Sequence, residues 1–425
     1  MISEKLLHYV WKNQWFAKEQ LETTHKQSVS ILNQGFPHQD AGPDFKQAII
    51  KIDEVTWAGN VEIHIRSSDW YKHQHQNDTK YNSVILHVVY EHDQEVFIGQ
   101  DTPLPTLELR TLLSSQLLLR YNQLMHSSHP LPCAAYIGKI TPLTMQSFFT
   151  RLAFDRLTRR QVQIFEILHT FQEDWEQALF YMLCQSFGFK TNAPAFEMLG
   201  RTLPYKILKK HADSHLQIAA LIFGQAGMLE EELEDDYYQS LQNEYLYLRA
   251  KYKLIPVETK CWNLLRLRPH NFPCIRLAQL GEIIFNHHDL FAKITAPKKM
   301  AHFQNIFVNK PNDYWNTHYH FGKTSRASEK MMGEKSFHLL LINAVIPFLY
   351  AYGVFIGNEK LQEYSMRLME HLPFEANHIT KKYQPLGFCA KNAGDSQALL
   401  ELYHEYCEKK RCIDCMVGRR VVVME

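Results

Sequence analysis

Hydrophobic residues change their period twice along this chain, around Asp40 and again a little beyond residue 110. Between residues 45 and 110 they form short strand-type runs: FKQAIIKI, VTWAGNVEIHI, SVILHVVYEH, EVFIGQ and TLELR. Asp53-Glu54 sits between the first two runs as a hairpin turn, and Pro103 and Pro105 suit the last to a sheet edge or a strand start. Ahead of them, Leu6, Leu7, Val10 and Trp11 recur at helical spacing. From about Leu112 to Tyr406 apolar residues return every three or four positions, as in PLTMQSFFTRLAFDRLTRRQVQIFEILHT, with breaks near Pro204, Pro256, Pro269 and Pro311. The implied class is α+β: a small mixed β-sheet domain with flanking helices, then a large, mostly α-helical region. The expected boundaries are 1–130, 131–385 and a cysteine-bearing tail, 386–425.

Composition narrows the function. Lys and Arg number 46 against 45 Asp and Glu, a formal charge of +1, so a nucleic-acid partner must be met by a local basic patch. The longest apolar run, Leu339–Gly357, is broken by Asn343 and Pro347 and reads as a buried core helix rather than a membrane span. No targeting segment is visible at the start, so the expectation is a cytoplasmic protein without a membrane partner, of undetermined oligomeric state. In that compartment its 8 cysteines are reduced or metal-bound rather than disulfide-bonded. There is no Walker loop, no Gly-x-Gly-x-x-Gly and no Gly-x-Ser-x-Gly, so triphosphate hydrolysis, dinucleotide chemistry and the usual serine-hydrolase route lack support.

The chemistry concentrates in DAGPDF (Asp40–Phe45) and GNVEIHIR (Gly59–Arg66). Alternate residues of a strand share a face. Val61, Ile63 and Ile65 therefore point to a core, and Glu62, His64 and Arg66 point the other way, with Asp44 at the start of the partner strand. This face is either a solvated hairpin surface or a grip for one cation. Carboxylates suit Mg²⁺ or Mn²⁺, and the imidazole tilts preference toward a transition metal. Asp69, His73, His75 and Asp78 follow within ten residues, either as a surface loop or as a second wall of the site. His87 interrupts an apolar strand and reads as a core histidine.

The order Pro43-Asp44, a strand, then Glu62-x-His64 on the next strand, a short helix and an apolar strand resembles the restriction-endonuclease-like PD-(D/E)xK nucleases. That resemblance implies a metal-dependent phosphodiesterase acting on nucleic acid, with Asp44 and Glu62 as metal ligands. The family's lysine position falls on His64, which would orient or deprotonate the attacking water, and Arg66 or Lys72 would supply positive charge. The reading of another class is a non-catalytic binding or scaffold protein, with a degenerate hairpin and a structural metal. Over nearly the whole chain, DAGPDF, WAGNVEIHIRSSDW, YNSVILHVVYEHD, RLRPHNFPCIRLAQL and the closing cysteines resemble an uncharacterised bacterial family, domain of unknown function 2851, which implies no activity.

Cys389, Cys407, Cys412 and Cys415 follow the spacing C-x17-C-x4-C-x2-C. Thiolates at this density suit Zn²⁺ or an iron–sulfur cluster, and Lys409, Lys410 and Arg411 would offset their charge. Cys133, Cys184, Cys261 and Cys274 are scattered and read as core thiols. Arg266, Arg268 and Arg276 lie in a proline-punctuated loop and helix start, or on an anion-binding surface. Arg151, Arg156, Arg159 and Arg160 read as a solvated helix face, and the aromatics of Asn312–Gly322 as core packing.

Overall fold

The computed structural model describes residues 2–38, 40–99, 102–265, 267–296 and 299–424. The chain divides into two compact units, Met1–Met145 with Leu402–Glu425, and Gln146–Glu401. The expected tail is therefore not a segment of its own. Its residues as far as Glu401 belong to the helical unit, and the closing stretch returns to the α/β unit.

The α/β unit starts with α1 (Glu4–Asn13), capped by the Ser3 hydroxyl, which accepts the Leu6 N–H. Its buried face is Leu6, Leu7, Val10 and Trp11. Then come β1 (Val29–Asn33), β2 (Phe36–Pro37), β3 (Phe45–Ile52) and the long β4 (Val55–Arg66). The β1/β3 and β3/β4 pairs are antiparallel, and β2 pairs with β3 near Phe45. Asp53, in the β3–β4 turn, takes the left-handed conformation at φ 52°. The chain then crosses through a short helix α2 (Asp69–Lys72) and two 3₁₀ turns to β5 (Val84–Glu91), which runs parallel to β4. After the small β6 (Phe97–Ile98) and β7 (Thr102–Pro103) pair, β8 (Thr106–Glu108) adds in parallel to β5. The sheet order is β1-β3-β4-β5-β8.

The expected alternation on β4 holds for Val61 and Ile63, at 0% and 1% exposure, but Glu62 and His64 are equally buried at 4% and 1%. Their face is covered by the crossover. Trp70 packs into a cluster with Val84, Val96 and Leu104 that lies over β5. Ser67 and Ser68 hold the entry to α2 in place: both hydroxyls donate to the Asp93 carboxylate, and the Ser68 N–H donates to it as well.

The second unit is built of helices. His215–Gln225 and Pro273–Asn286 are buried almost all round. The apolar run is a helix from Glu334 to Phe355, long and apolar enough to cross a membrane, and mostly buried inside the protein. It relaxes to π geometry at Leu341–Val345. The cause is Pro347, which cannot donate to the Asn343 carbonyl one turn back. That carbonyl instead accepts the Arg160 guanidinium at 2.9 Å. The arginine face is correspondingly engaged rather than solvated: Arg156 donates to Gln397, and Arg159 pairs with Glu401. Arg276 is buried and bonded to Asn271, Gln279 and Ser336, so it is an interior tie, not an anion surface; Arg266 lies outside the described residues. Trp315 and Phe321 pack on Phe223, as the aromatic run implies.

At Gly59 the backbone of β4 lies against the start of β5. A Cβ there would lie 2.4 Å from Ile85 Cγ2 and 2.7 Å from the Ser83 carbonyl oxygen. Gly59→Ala should therefore destabilise the α/β unit by about 1–3 kcal/mol. Gly138→Ala, where a Cβ meets nothing within 4 Å, should leave the urea midpoint unchanged.

Candidate metal centre

Where β3 begins, two backbone-to-carboxylate bonds interlock. The Asp44 N–H donates to Glu62 Oε2 at 3.1 Å, and the Ile63 N–H donates to Asp44 Oδ2 at 3.0 Å. The clasp turns Glu62 Oε1 toward the crossover, where it lies 3.3 Å from His75 Nε2 and 3.6 Å from His64 Nε2. Burial, above all, raises the Glu62 pKa, and the Asp44 charge adds to this, while His75 and the Asp44 N–H oppose it.

Four imidazoles complete the cluster. His64 Nδ1 is 2.9 Å from His87 Nε2, and His64 Nε2 is 3.1 Å from His73 Nδ1. His64 and His75 stack, with centroids 5.2 Å apart, and Tyr81 stacks on the far face of His75 at 3.8 Å. Trp70 closes the base, with its ring 5.4 Å from His75 and 5.5 Å from His87. Burial, reinforced by the neighbouring histidines, depresses His64 to about 2 and His87 to about 3. Both are neutral near pH 7. A histidine held this low is a poor base for water but a good neutral ligand. The role of deprotonating water, expected for His64, therefore does not suit it.

The ligand atoms of His64, His73 and His75 all lie within 4.8 Å of one another, and Glu62 Oε1 borders two of them. The buried His75 Nε2 and His87 Nδ1 have no aligned hydrogen-bond partner among the described residues. An unsatisfied buried nitrogen costs about 1–3 kcal/mol, and a cation on His75 Nε2 would remove one such cost. Three imidazoles and a carboxylate fit a transition metal or Mn²⁺ better than Mg²⁺. A cation on His64 Nε2 would select the tautomer in which Nδ1–H donates to His87, the usual outer support of a metal-binding histidine.

The structure thus brings Asp44, Glu62 and His64 together and adds His73, His75 and His87. It does not bring Arg66 or Lys72 to them. Arg66 is exposed, with Nε 3.7 Å from Glu91, and Lys72 donates to Asp69 Oδ1 at 2.6 Å. The Lys80 stem lies beside Gly42, and Lys46 follows Asp44 by two residues, its Nζ 2.8 Å from His38 Nε2. His8 of α1 joins from the other side, with Nε2 3.2 Å from Asp44 Oδ2. Burial opposes charging His8, but the Asp44 carboxylate outweighs it and the net shift is upward. The sequence sign for His8 is its place beside Leu7, on the edge of an amphipathic helix's buried stripe.

A family model described as "Protein of unknown function (DUF2851)" matches residues 4–378. The chain belongs to that family. No curated protein and no solved structure matches it. The DUF2851 match contains Asp44, Glu62, every histidine of the cluster and Cys133, and it ends ahead of Cys389, Cys407, Cys412 and Cys415.

The depressed histidines set an acid limit. Unfolded, His64 and His87 titrate near 6.5. Their contribution is complete above that pH and is lost as pH falls toward 3, because the unfolded chain takes up protons first. Each contributes a slope of about 1.4 kcal/mol per pH unit in that window. Glu62, with its raised pKa, acts in the opposite sense. Urea unfolding of chelator-treated protein between pH 7 and 5 should show stability dropping on acidification, and His87→Gln should flatten that dependence. An unchanged slope in the variant would remove His87 as a source.

Proposed function

We propose that this protein is a metal-dependent hydrolase of phosphodiesters, with nucleic acid as its substrate class. The observation that carries the reading is the meeting of Glu62 Oε1 with His64 and His75, beside an Asp44 fixed by the same strand pair. The chain order supports it as well: Asp44 precedes one strand and Glu62 lies on the next, ahead of a crossover and a parallel strand, which is the order of elements in the PD-(D/E)xK resemblance.

When bound, a divalent ion supplies a polarised phosphoryl oxygen and a water acidic enough to ionise near neutrality. The protein's part is to hold and shape. Glu62 and the imidazoles of His64, His73 and His75 would form the grip, with Asp44 beside it. His87 would orient His64, and Trp70 and Tyr81 would wall the site from water. Lys46 and Lys80 would receive the phosphate's remaining charge, the part the sequence assigns to Arg66 or Lys72.

One observation favours a second reading, a structural metal in a binding protein: Glu62 and His64 are nearly inaccessible. Cleavage of supercoiled plasmid, single-stranded DNA and RNA with Mn²⁺, Zn²⁺ or Mg²⁺ separates the two. The hydrolase predicts Mn²⁺- or Zn²⁺-supported cleavage. Asp44→Asn and Glu62→Gln should each reduce it beyond the roughly 10–100-fold typical of losing an outer-shell partner. Arg66→Ala and Lys72→Ala should stay within a few-fold of the parent. Tight metal binding with no cleavage of any substrate, or equal cleavage by both acid variants, would select the binding protein.

A further inference from the structure

We propose that a cavity in the second unit binds a mononucleotide with a guanine base, its phosphate at Arg160 and Lys190 and its base edge at Glu375. The cavity measures about 470 Å³, within the range of small-molecule sites. Its lining includes Arg160, Lys190, Gln185, Asn343 and Glu375, with Phe189 as an aromatic surface. All six belong to Gln146–Glu401, so the assignment is independent of the imidazole centre and of the phosphodiesterase reading.

The two cations reach the cavity by different routes. Arg156, Arg159 and Arg160 lie on one helix, Pro142–Thr170. Arg156 and Arg159 turn to Gln397 and Glu401, whereas Arg160 is held by two neutral oxygens, the Asn343 carbonyl at 2.9 Å and Gln163 Oε1 at 3.2 Å. Its charge is thereby oriented without being cancelled. The Asn343 carbonyl can take the guanidinium because it lies in the π turn Leu341–Val345, and single π turns of this kind recur at functional sites. Lys190 is exposed, shortly after the helix Trp175–Phe187, where Phe189 and Lys190 both take left-handed backbone at φ 41° and 74°. Neither is glycine, so the turn is strained, and strain of this sort gathers at ligand clamps. It is held by the Asn192 N–H on the Gly188 carbonyl at 3.0 Å and by the Arg276 guanidinium, 4.3 Å from the centre of the Phe189 ring.

The lining selects the ligand. Two cations against one acid call for more negative than positive charge. A phosphate monoester carries about −1.5 to −2 at neutral pH, and a guanidinium suits its oxygens in pairs. Glu375 lines the same cavity with both oxygens fixed: Oε1 accepts Asn377 Nδ2 at 3.2 Å, and Oε2 accepts Gln397 Nε2 at 3.1 Å. Each oxygen keeps a further lone pair, so the carboxylate can accept two more N–H groups side by side. Among the bases of nucleic acids, guanine presents that pair, its N1–H next to its amino group. Adenine sets its amino group beside an acceptor nitrogen, which a carboxylate repels. The Phe189 ring offers a stacking surface, and the amides of Gln185 and Asn343 can donate or accept at the remaining edges. An amino-acid zwitterion would engage the acid and one cation and leave the second cation unmatched.

Isothermal titration of the full-length protein should show guanosine 5′-monophosphate binding at one site per chain, with adenosine 5′-monophosphate and inorganic phosphate weaker by about tenfold or more. Arg160→Ala and Lys190→Ala should each weaken guanosine 5′-monophosphate by about tenfold or more, the loss expected on removing hydrogen bonds to a charged group. Glu375→Gln should reduce the preference for guanosine over adenosine 5′-monophosphate. Arg151→Ala, which removes an exposed cation of the same helix that pairs with Asp155, should bind as the parent does. Because Lys190 is exposed, its variant tests the site even where Arg160→Ala fails to fold. The assignment would be overturned by the lack of saturable guanosine 5′-monophosphate binding up to about 1 mM, or by adenosine 5′-monophosphate or phosphate binding within about tenfold of it. Parent-like binding by Lys190→Ala, or an unchanged base preference in Glu375→Gln, would overturn it equally.

Discussion

The site depends on one pair of hydrogen bonds. Because the Asp44 N–H is given to Glu62 and the Ile63 N–H to Asp44, neither carboxylate is left to arrange itself. Hydrogen bonds to a charged acceptor contribute about 1.5–3 kcal/mol each, enough to hold an acid that its surroundings desolvate. The clasp lies where β3 begins, beyond the last regular rungs of the hairpin, so it fixes strand register and ligand direction in one step. Without it, a carboxylate on this buried stretch of β4 would have no reason to remain at the sheet's face rather than turn to solvent.

Burial does the rest, and it acts in opposite directions on the two kinds of group. It pushes the Glu62 carboxyl toward its protonated form and the His64 and His87 rings toward their neutral forms. The neutral His64 and His87 rings can therefore pack without mutual repulsion, and a neutral imidazole need lose no proton to ligate a metal. Trp70 closes the crossover beneath these rings, packed with Val84, Val96 and Leu104.

Much of this was legible in the chain. The two-residue alternation marked the strands, Asp53-Glu54 marked the turn, and the pairing of Asp44 with Glu62 and His64 followed from strand geometry. What alternation could not show was that the second face of β4 is also buried, because the cover is supplied by a crossover whose own sequence, Asp69 to Tyr81, is polar. Polar residues there read as a surface loop or a second wall of the site. Most of them are exposed; the cover comes from buried Trp70 and from His73 and His75, whose rings pack against His64. Arg66 and Lys72 failed as site residues for a local reason: each has an acid nearer to hand, Glu91 and Asp69.

The cysteine set shows where spacing in sequence misleads about spacing in space. Thiols close in sequence share a site only if the chain between them is free to fold back, and Leu402 begins the return to the first unit. Cys389 lies before that return and Cys407 after it, so the seventeen-residue gap between them crosses a unit boundary. Cys133, by contrast, follows Ser115–His126, the helix on which Met416–Val422 packs. The unit thereby holds hard-to-borderline donors on its sheet and soft donors at its chain end. Metals of different softness partition between such sets by chemistry alone.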